Sequence, residues 1–173
     1  MLKLILPCRE YLSSYAEACD EYERLGITDY NFTDPRCTDV LQKFEDYRLE
    51  RHLKPNRVGS HYYWLVDDES QRFIGEITIR HRLNAALERI GGHIGYGIRA
   101  SEQGKGMGTL MLRLALEKAK DLGLEQVLIT CDDQNLASSR VMEKNGCVLR
   151  DKIENIIDEK RILTRRYVCL LQK

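Results

Sequence analysis

No apolar run in this chain of 173 residues is long enough to span a bilayer. Met1 to Pro7 hold too short an apolar run for a signal peptide, and no small-residue cleavage site follows. Net charge is missing as well. The 27 basic and 27 acidic residues cancel, so the whole chain offers nothing to nucleic acid or another polyanion. There is no internal repeat and no low-complexity segment. The six cysteines include no Cys-x-x-Cys pair, and no histidine pair has zinc-finger spacing, so no metal is expected. Cys131, Cys147 and Cys169 lie in apolar stretches and read as buried thiols, in a reducing, cytoplasmic setting. The length fits one domain, residues 1–173, with a sizeable core.

What is present is an alternation of strand-like and helix-like segments. After a first strand ending at Pro7, Tyr11, Leu12, Tyr15, Ala18, Cys19, Tyr22 and Leu25 recur at helical spacing, with Gly26 as a stop. Residues 27–37 read as a loop, and Thr38 as the cap of a second helix to about His52. His61 to Val66 and Phe73 to Arg80 are strands around a hydrophilic turn, and Leu83 to Arg89 a polar connection. Gly92 to Arg99 is the central strand. Leu124 to Cys131 has the continuous apolar character of a buried, parallel one. Asn135 or Asp133 starts the last helix, Gly146 ends it, and Cys147 to Leu170 reads as a long hairpin turning at Asp158-Glu159-Lys160.

The most informative stretch is the turn Gln103-Gly104-Lys105-Gly106-Met107-Gly108, between the central strand and a helix from Thr109 to Leu122. In that helix Met111, Leu112, Ala115, Ala119 and Leu122 form an apolar stripe that faces a sheet. A glycine-rich turn at a helix N-terminus is an anion site: the first amides lack internal partners, the helix dipole is positive there, and glycine allows close approach. A Walker loop is absent, and Thr109 stands where a dinucleotide fingerprint needs its third glycine. A nucleotide-phosphate binder is the reading those patterns leave as an alternative.

The hexapeptide resembles the coenzyme A loop of the GNAT N-acetyltransferase superfamily, Gln/Arg-x-x-Gly-x-Gly/Ala. A second segment, Asn135 to Cys147, resembles that family's Asn-x-x-Ser…Glu-Lys-x-Gly-Phe motif. The strong resemblance covers about residues 73–150. It implies an α+β fold in α/β/α layers: a mixed, mostly antiparallel sheet of about seven strands with helices on both faces. It implies transfer of acetyl from acetyl-CoA, as cosubstrate, to an amine of a small molecule or peptide, by direct attack in a ternary complex. Amides from Gly104 to Thr109, among them Gly106, Met107 and Gly108, would hold the pyrophosphate, with Gln103, Lys105 and Arg99 beside them. Backbone near Tyr96 and Ile98 would pair with the pantetheine arm, and Asn135 and Ser138 would contact it from the other side. For Lys105 a solvated side chain, and for Asn135 a helix cap, are the alternatives.

His93 is the first candidate for the base that deprotonates the amine, against a satisfied histidine on a central strand. Glu76 on the neighbouring strand is the second, against a solvent-facing residue. Met142 stands where many family members carry a tyrosine that protonates the leaving thiolate. A non-catalytic coenzyme-binding module on the same fold is therefore the competing function. The acceptor amine is unidentified, and the C-terminal hairpin offers an edge for a homodimer.

Overall fold

The computed structural model describes residues 1–171. Its frame is one seven-stranded sheet in the order β1-β2-β3-β4-β5-β7-β6. The strands are β1 (Leu2–Ile5), β2 (Ser60–Asp67), β3 (Arg72–Arg80), β4 (Ile94–Ile98), β5 (Gln126–Asp132), β6 (Val148–Ile157) and β7 (Lys160–Leu170). Every neighbouring pair is antiparallel except β4 and β5. The helices are α1 (Leu12–Arg24), α2 (Val40–Arg48), α3 (Ala85–Arg89), α4 (Met107–Asp121) and α5 (Leu136–Lys144).

Alternation along β2 explains the layering. Tyr62, Trp64 and Val66 face one side, with the α1 and α2 residues Tyr15, Ala18, Cys19 and Phe44. Tyr63 and Leu65 face the other, with Met111, Leu112, Ala115 and Ala119 of α4 and Met142 of α5. The sheet is thus apolar on both faces, and each face needs a helical cover. The fold expected from the resemblance is the one observed.

Several boundaries differ from the sequence reading, each for a local reason. Asp39, not Thr38, caps α2, its Oδ1 accepting from the Gln42 amide at 3.0 Å. α4 begins at Met107, two residues before Thr109, because Gly106 takes the left-handed conformation and serves as its N-cap. Leu122, placed on the apolar stripe, lies beyond the end of α4 and is exposed. The connection after β3 does contain a helical turn, capped by Asn84. The C-terminal hairpin turns at Asp158 and Glu159, both at positive φ (47 and 63).

The cysteines also need a correction. Cys147 and Cys169 are buried but joined as a disulfide, whereas the sequence reading made them thiols. Cys147 immediately precedes β6 and Cys169 lies on β7, each one residue from the Val148–Val168 register pair. Cys8, Cys19, Cys37 and Cys131 are free.

Candidate functional site

The site forms where β4 and β5 part. Their one register pair is Ile94 with Ile129. Beyond it β4 keeps its ladder with β3 as far as Ile98 and has no ladder partner on the other side. Odd-numbered β4 residues turn their peptide groups to β3, as the His93 carbonyl and the Arg99 amide show. The peptide groups of Tyr96 and Ile98 therefore face the opening. Residues far away in sequence reach two of these groups. Asn31 donates its side-chain amide to the Tyr96 carbonyl at 2.6 Å, and the Tyr22 hydroxyl donates to the Ile98 carbonyl at 2.5 Å. Gly97 permits this crossing: a Cβ there would lie 3.3 Å from Asn31 Cβ and from the Phe32 ring.

At the far end of the opening stands the N-terminus of α4. Gly104 and Gly106 have φ of 75 and 81, and a Cβ on either would meet nothing within 4 Å. Space is open in front of both, beside the unpaired first amides of a helix of 15 residues. A pyrophosphate fits that combination. The other residues of the turn have work within the protein. Gln103 donates to the Tyr22 hydroxyl at 2.8 Å, and Lys105 pairs with Glu102 at 3.1 Å. Gly108 lets α4 approach α5: its Cβ position lies 3.3 Å from Val141 Cγ2. Met107 packs against the core, and the Thr109 carbonyl accepts from Asn145.

Across the opening lies α5. Asn135 caps it, with Oδ1 accepting from the Ser138 amide at 3.0 Å. The Tyr96 hydroxyl spans the gap and shares a hydrogen bond of 2.9 Å with Ser138 Oγ. Burial pushes that phenol up to about 12, so it holds its proton at neutral pH. Met142 is fully buried in the core. Tyr167 donates to Glu143, and Tyr63 packs in the core on the α4 face, so of these three tyrosines Tyr96 is the one that lines the cleft.

The two candidate bases lie elsewhere. His93 Nδ1 accepts from the Leu128 amide at 3.0 Å, and the His93 amide donates to the Leu128 carbonyl at 2.7 Å. The ring thereby bridges β4 to β5 just before they part. Burial first, and then the Arg80 charge, hold its pKa below the ordinary value. Glu76 is buried on the α1–α2 face opposite Gly97, under the loop that carries Asn31 and Phe32. Its Oε2 accepts from Trp64 Nε1 at 2.9 Å, and burial raises it to about 7. Arg99 is 3% exposed and turned to α1, with Nε 2.7 Å from Glu21 and Nη1 3.0 Å from the Ser14 hydroxyl.

A cavity of about 400 Å³ continues from the opening. Its lining includes Arg80, Gly95 and Tyr96 of β3 and β4, Cys131 and Asp132 of β5, Ser138 of α5, and Ile157 and Ile162 of the C-terminal hairpin. Neither His93 nor Glu76 is among the lining residues. Sequence reasoning missed Asn31, Arg80 and Asp132. They sit on a loop and at two strand ends, with no motif around them. Among the described residues no group of three or more His, Cys, Asp or Glu is placed to hold a metal.

A family model described as the acetyltransferase (GNAT) domain matches residues 13–148. No curated protein matches. Among solved structures, the chain superposes on the ribosomal-protein-S5-alanine acetyltransferase of Vibrio fischeri with TM-score 0.72 and 16% identity, covering 98% of this chain and 93% of that one. It superposes on the microcin C7 self-immunity acetyltransferase MccE, in complex with acetyl-CoA and AMP, with TM-score 0.71 and 15% identity, over 98% and 92%. For RimL, a ribosomal L7/L12 α-N-protein acetyltransferase in complex with coenzyme A, the values are 0.70, 13%, 98% and 94%.

Proposed function

The chain belongs to the GNAT acetyltransferase family, and from that premise we propose how its residues serve acetyl-CoA-dependent N-acetyl transfer. The observation that carries the reading is the parting of β4 from β5 beside the glycine-bounded N-terminus of α4. MccE and RimL, similar in fold over 98% of this chain, are seen with acetyl-CoA and coenzyme A. The whole of residues 1–173 is read as one domain, since a single sheet runs from β1 to β7.

Acetyl-CoA supplies the acetyl group and the leaving thiolate. The amides between Gly104 and Thr109 hold its pyrophosphate. Gly108 contributes a tight α4–α5 contact, and Gln103 and Lys105 brace the turn against Tyr22 and Glu102. The amides of Tyr96 and Ile98, whose carbonyls are taken by Asn31 and Tyr22, pair with the pantetheine arm. Arg99 locks β4 onto α1 and supports the site without touching the coenzyme.

The Tyr96 hydroxyl, aligned by Ser138, donates to the thiolate as it leaves. It does from the strand what a tyrosine on α5 would do, and α5 carries Met142 instead. This favours an enzyme over a non-catalytic coenzyme-binding module. His93, with Nδ1 committed to the Leu128 amide, closes the strand pair. Glu76 organises the floor of the loop above it. Asp132 is the carboxylate lining the cleft, and it takes the amine's proton through water.

The acceptor is an amine of a small molecule or a peptide. The exposed edge of β6, with Val148 and Ile156, supports a homodimer.

The test is the melting temperature with excess acetyl-CoA, coenzyme A, ATP and NAD, each alone. At about 100 times its dissociation constant a ligand stabilises by about 2.7 kcal/mol. At about 2–4 °C per kcal/mol this is a rise of about 5–10 °C. A rise with the coenzyme A forms alone, followed by thiol release with an amine, supports the reading. No rise with either form sinks it.

A further inference from the structure

Arg80 closes β3 and points into the cleft. Its Nη1 donates to the carbonyls of Gly91 and Gly92 at 3.2 and 2.9 Å. These bonds orient the guanidinium and occupy one of its three nitrogens. Nε and Nη2 make no hydrogen bond among the described residues. Arg36, Arg48, Arg82, Arg99, Arg165 and Arg166 each pair with a carboxylate, whereas Arg80, more buried than most of them, does not. The titratable groups near it are Tyr62, Tyr47, Arg57 and His93, with no carboxylate among them. Desolvation draws its pKa down, the mark of a cation that lacks its counter-charge.

The space in front of the guanidinium is kept open. A Cβ on Gly95 would lie 3.7 Å from Nη2 and 3.8 Å from Nη1. Arg80, Gly95, Tyr96 and Ser138 all line this one cavity. Asp132 also lines the cavity, exposed and without a cationic side-chain partner; its Oδ1 accepts from the Gln134 amide. Its neighbour Asp133 is neutralised by Arg165 and Lys152. The cleft lining thus holds one cation without a carboxylate partner, Arg80, and one carboxylate without a cationic partner, Asp132. The hairpin residues Ile157 and Ile162 bound its end, and about 400 Å³ suits a small ligand.

We propose that Arg80 is the anion-binding residue of the acceptor subsite and that the acceptor is a small zwitterionic amine of amino-acid type. The acceptor's carboxylate lies against Arg80, and its amine faces Asp132. This rests on the acetyltransferase reading above. A guanidinium with unused N–H groups matches a carboxylate geometrically, and the acceptor supplies the missing counter-charge to a half-buried cation.

The probes are the N-acetyl forms of the twenty common L-amino acids and their primary amides. Each is titrated calorimetrically into the protein saturated with coenzyme A. At least one acid should bind about tenfold or more tightly than its own amide, and Arg80→Gln should erase that ratio with coenzyme A affinity unchanged. Arg80→Lys should restore part of it. Gly95→Ala places a methyl before the guanidinium while leaving its bonds to Gly91 and Gly92, and should weaken the acid selectively. That variant keeps the test sharp if Arg80→Gln disturbs the turn. Acids and amides binding alike, equal weakening of both by Arg80→Gln, or no binding by any acid would overturn the assignment. Thiol release is followed in parallel with free amino acids and peptides. Acid-selective binding without thiol release from any amine sinks the acetyltransferase reading and leaves Arg80 as an anion site. Thiol release with peptides alone overturns the amino-acid acceptor.

Discussion

Replacing Glu76 by Gln should make the protein more stable at pH 8 and leave it nearly unchanged at pH 4.5. Glu76 is fully buried, and its pKa rises from an ordinary 4.5 to about 7, chiefly through burial; Trp64, Tyr15 and Lys43 offset that only in part. The folded state therefore holds a proton that the unfolded chain has already lost. Stability falls as pH rises from about 4.5 to about 7, since the unfolded state binds fewer protons, and levels off above about 7. At about 1.36 kcal/mol per pH unit the whole displacement costs about 3 kcal/mol. Gln keeps an oxygen for Trp64 Nε1 and never ionises, so the variant escapes that cost. For a chain of this size about 3 kcal/mol is about 6–12 °C of melting temperature. The assay is urea denaturation of both proteins at half-unit steps from pH 4.5 to 8.5. Taking the difference between the two curves removes every other titrating group. Parallel curves, or a difference that opens below pH 4.5, would refute the reasoning and mean that Glu76 is hydrated in solution.

Three other outcomes are expected. Gly106→Ala forces a side chain into the left-handed region, at a cost of about 1–2 kcal/mol, and puts a methyl where the pyrophosphate approaches; calorimetry should show coenzyme A affinity down at least about tenfold, and an unchanged affinity would count against the turn as its site. Tyr96→Phe should lower kcat by about a hundredfold with acetyl-CoA binding intact, while a kcat within about twofold of the parent would remove Tyr96 as the acid. Arg99→Met removes the 2.7 Å pair with Glu21, which keeps Arg72 at 3.6 Å and the Ser101 amide, and should cost about 2 kcal/mol by urea denaturation; a loss below about 0.5 kcal/mol would show that the pair contributes little.

Short-range information made much of this protein legible before folding. The Gln103–Gly108 turn, the apolar stripe from Met111 to Ala119 and the Asn135 cap each depend on residues within a few positions of one another, and each stands in the structure at or near its expected place. Strand alternation likewise located β2 and β3 to within a residue or so. The hairpin turn was readable for the same reason.

The side-chain content of the cleft followed a different rule. Tyr96 meets Ser138, Asn31 reaches the Tyr96 carbonyl, and Arg80 comes to line one cavity with Asp132, although each pair is far apart in the chain. Glu76 looked like a strand glutamate more often solvent-facing than buried, and burial under the 31–33 loop made it a different acid. His93 looked like a base until the Leu128 amide, from a strand 35 positions on, claimed its Nδ1. Cys147 and Cys169 became partners through the β6–β7 register alone. Local pattern thus determined where the glycine turn, the strands and the helix caps lie, because those depend on backbone conformation and nearest neighbours. Only the tertiary structure decided which side chains share the cleft and which are buried away from it, because desolvation and pairing are set by segments that meet when the sheet closes.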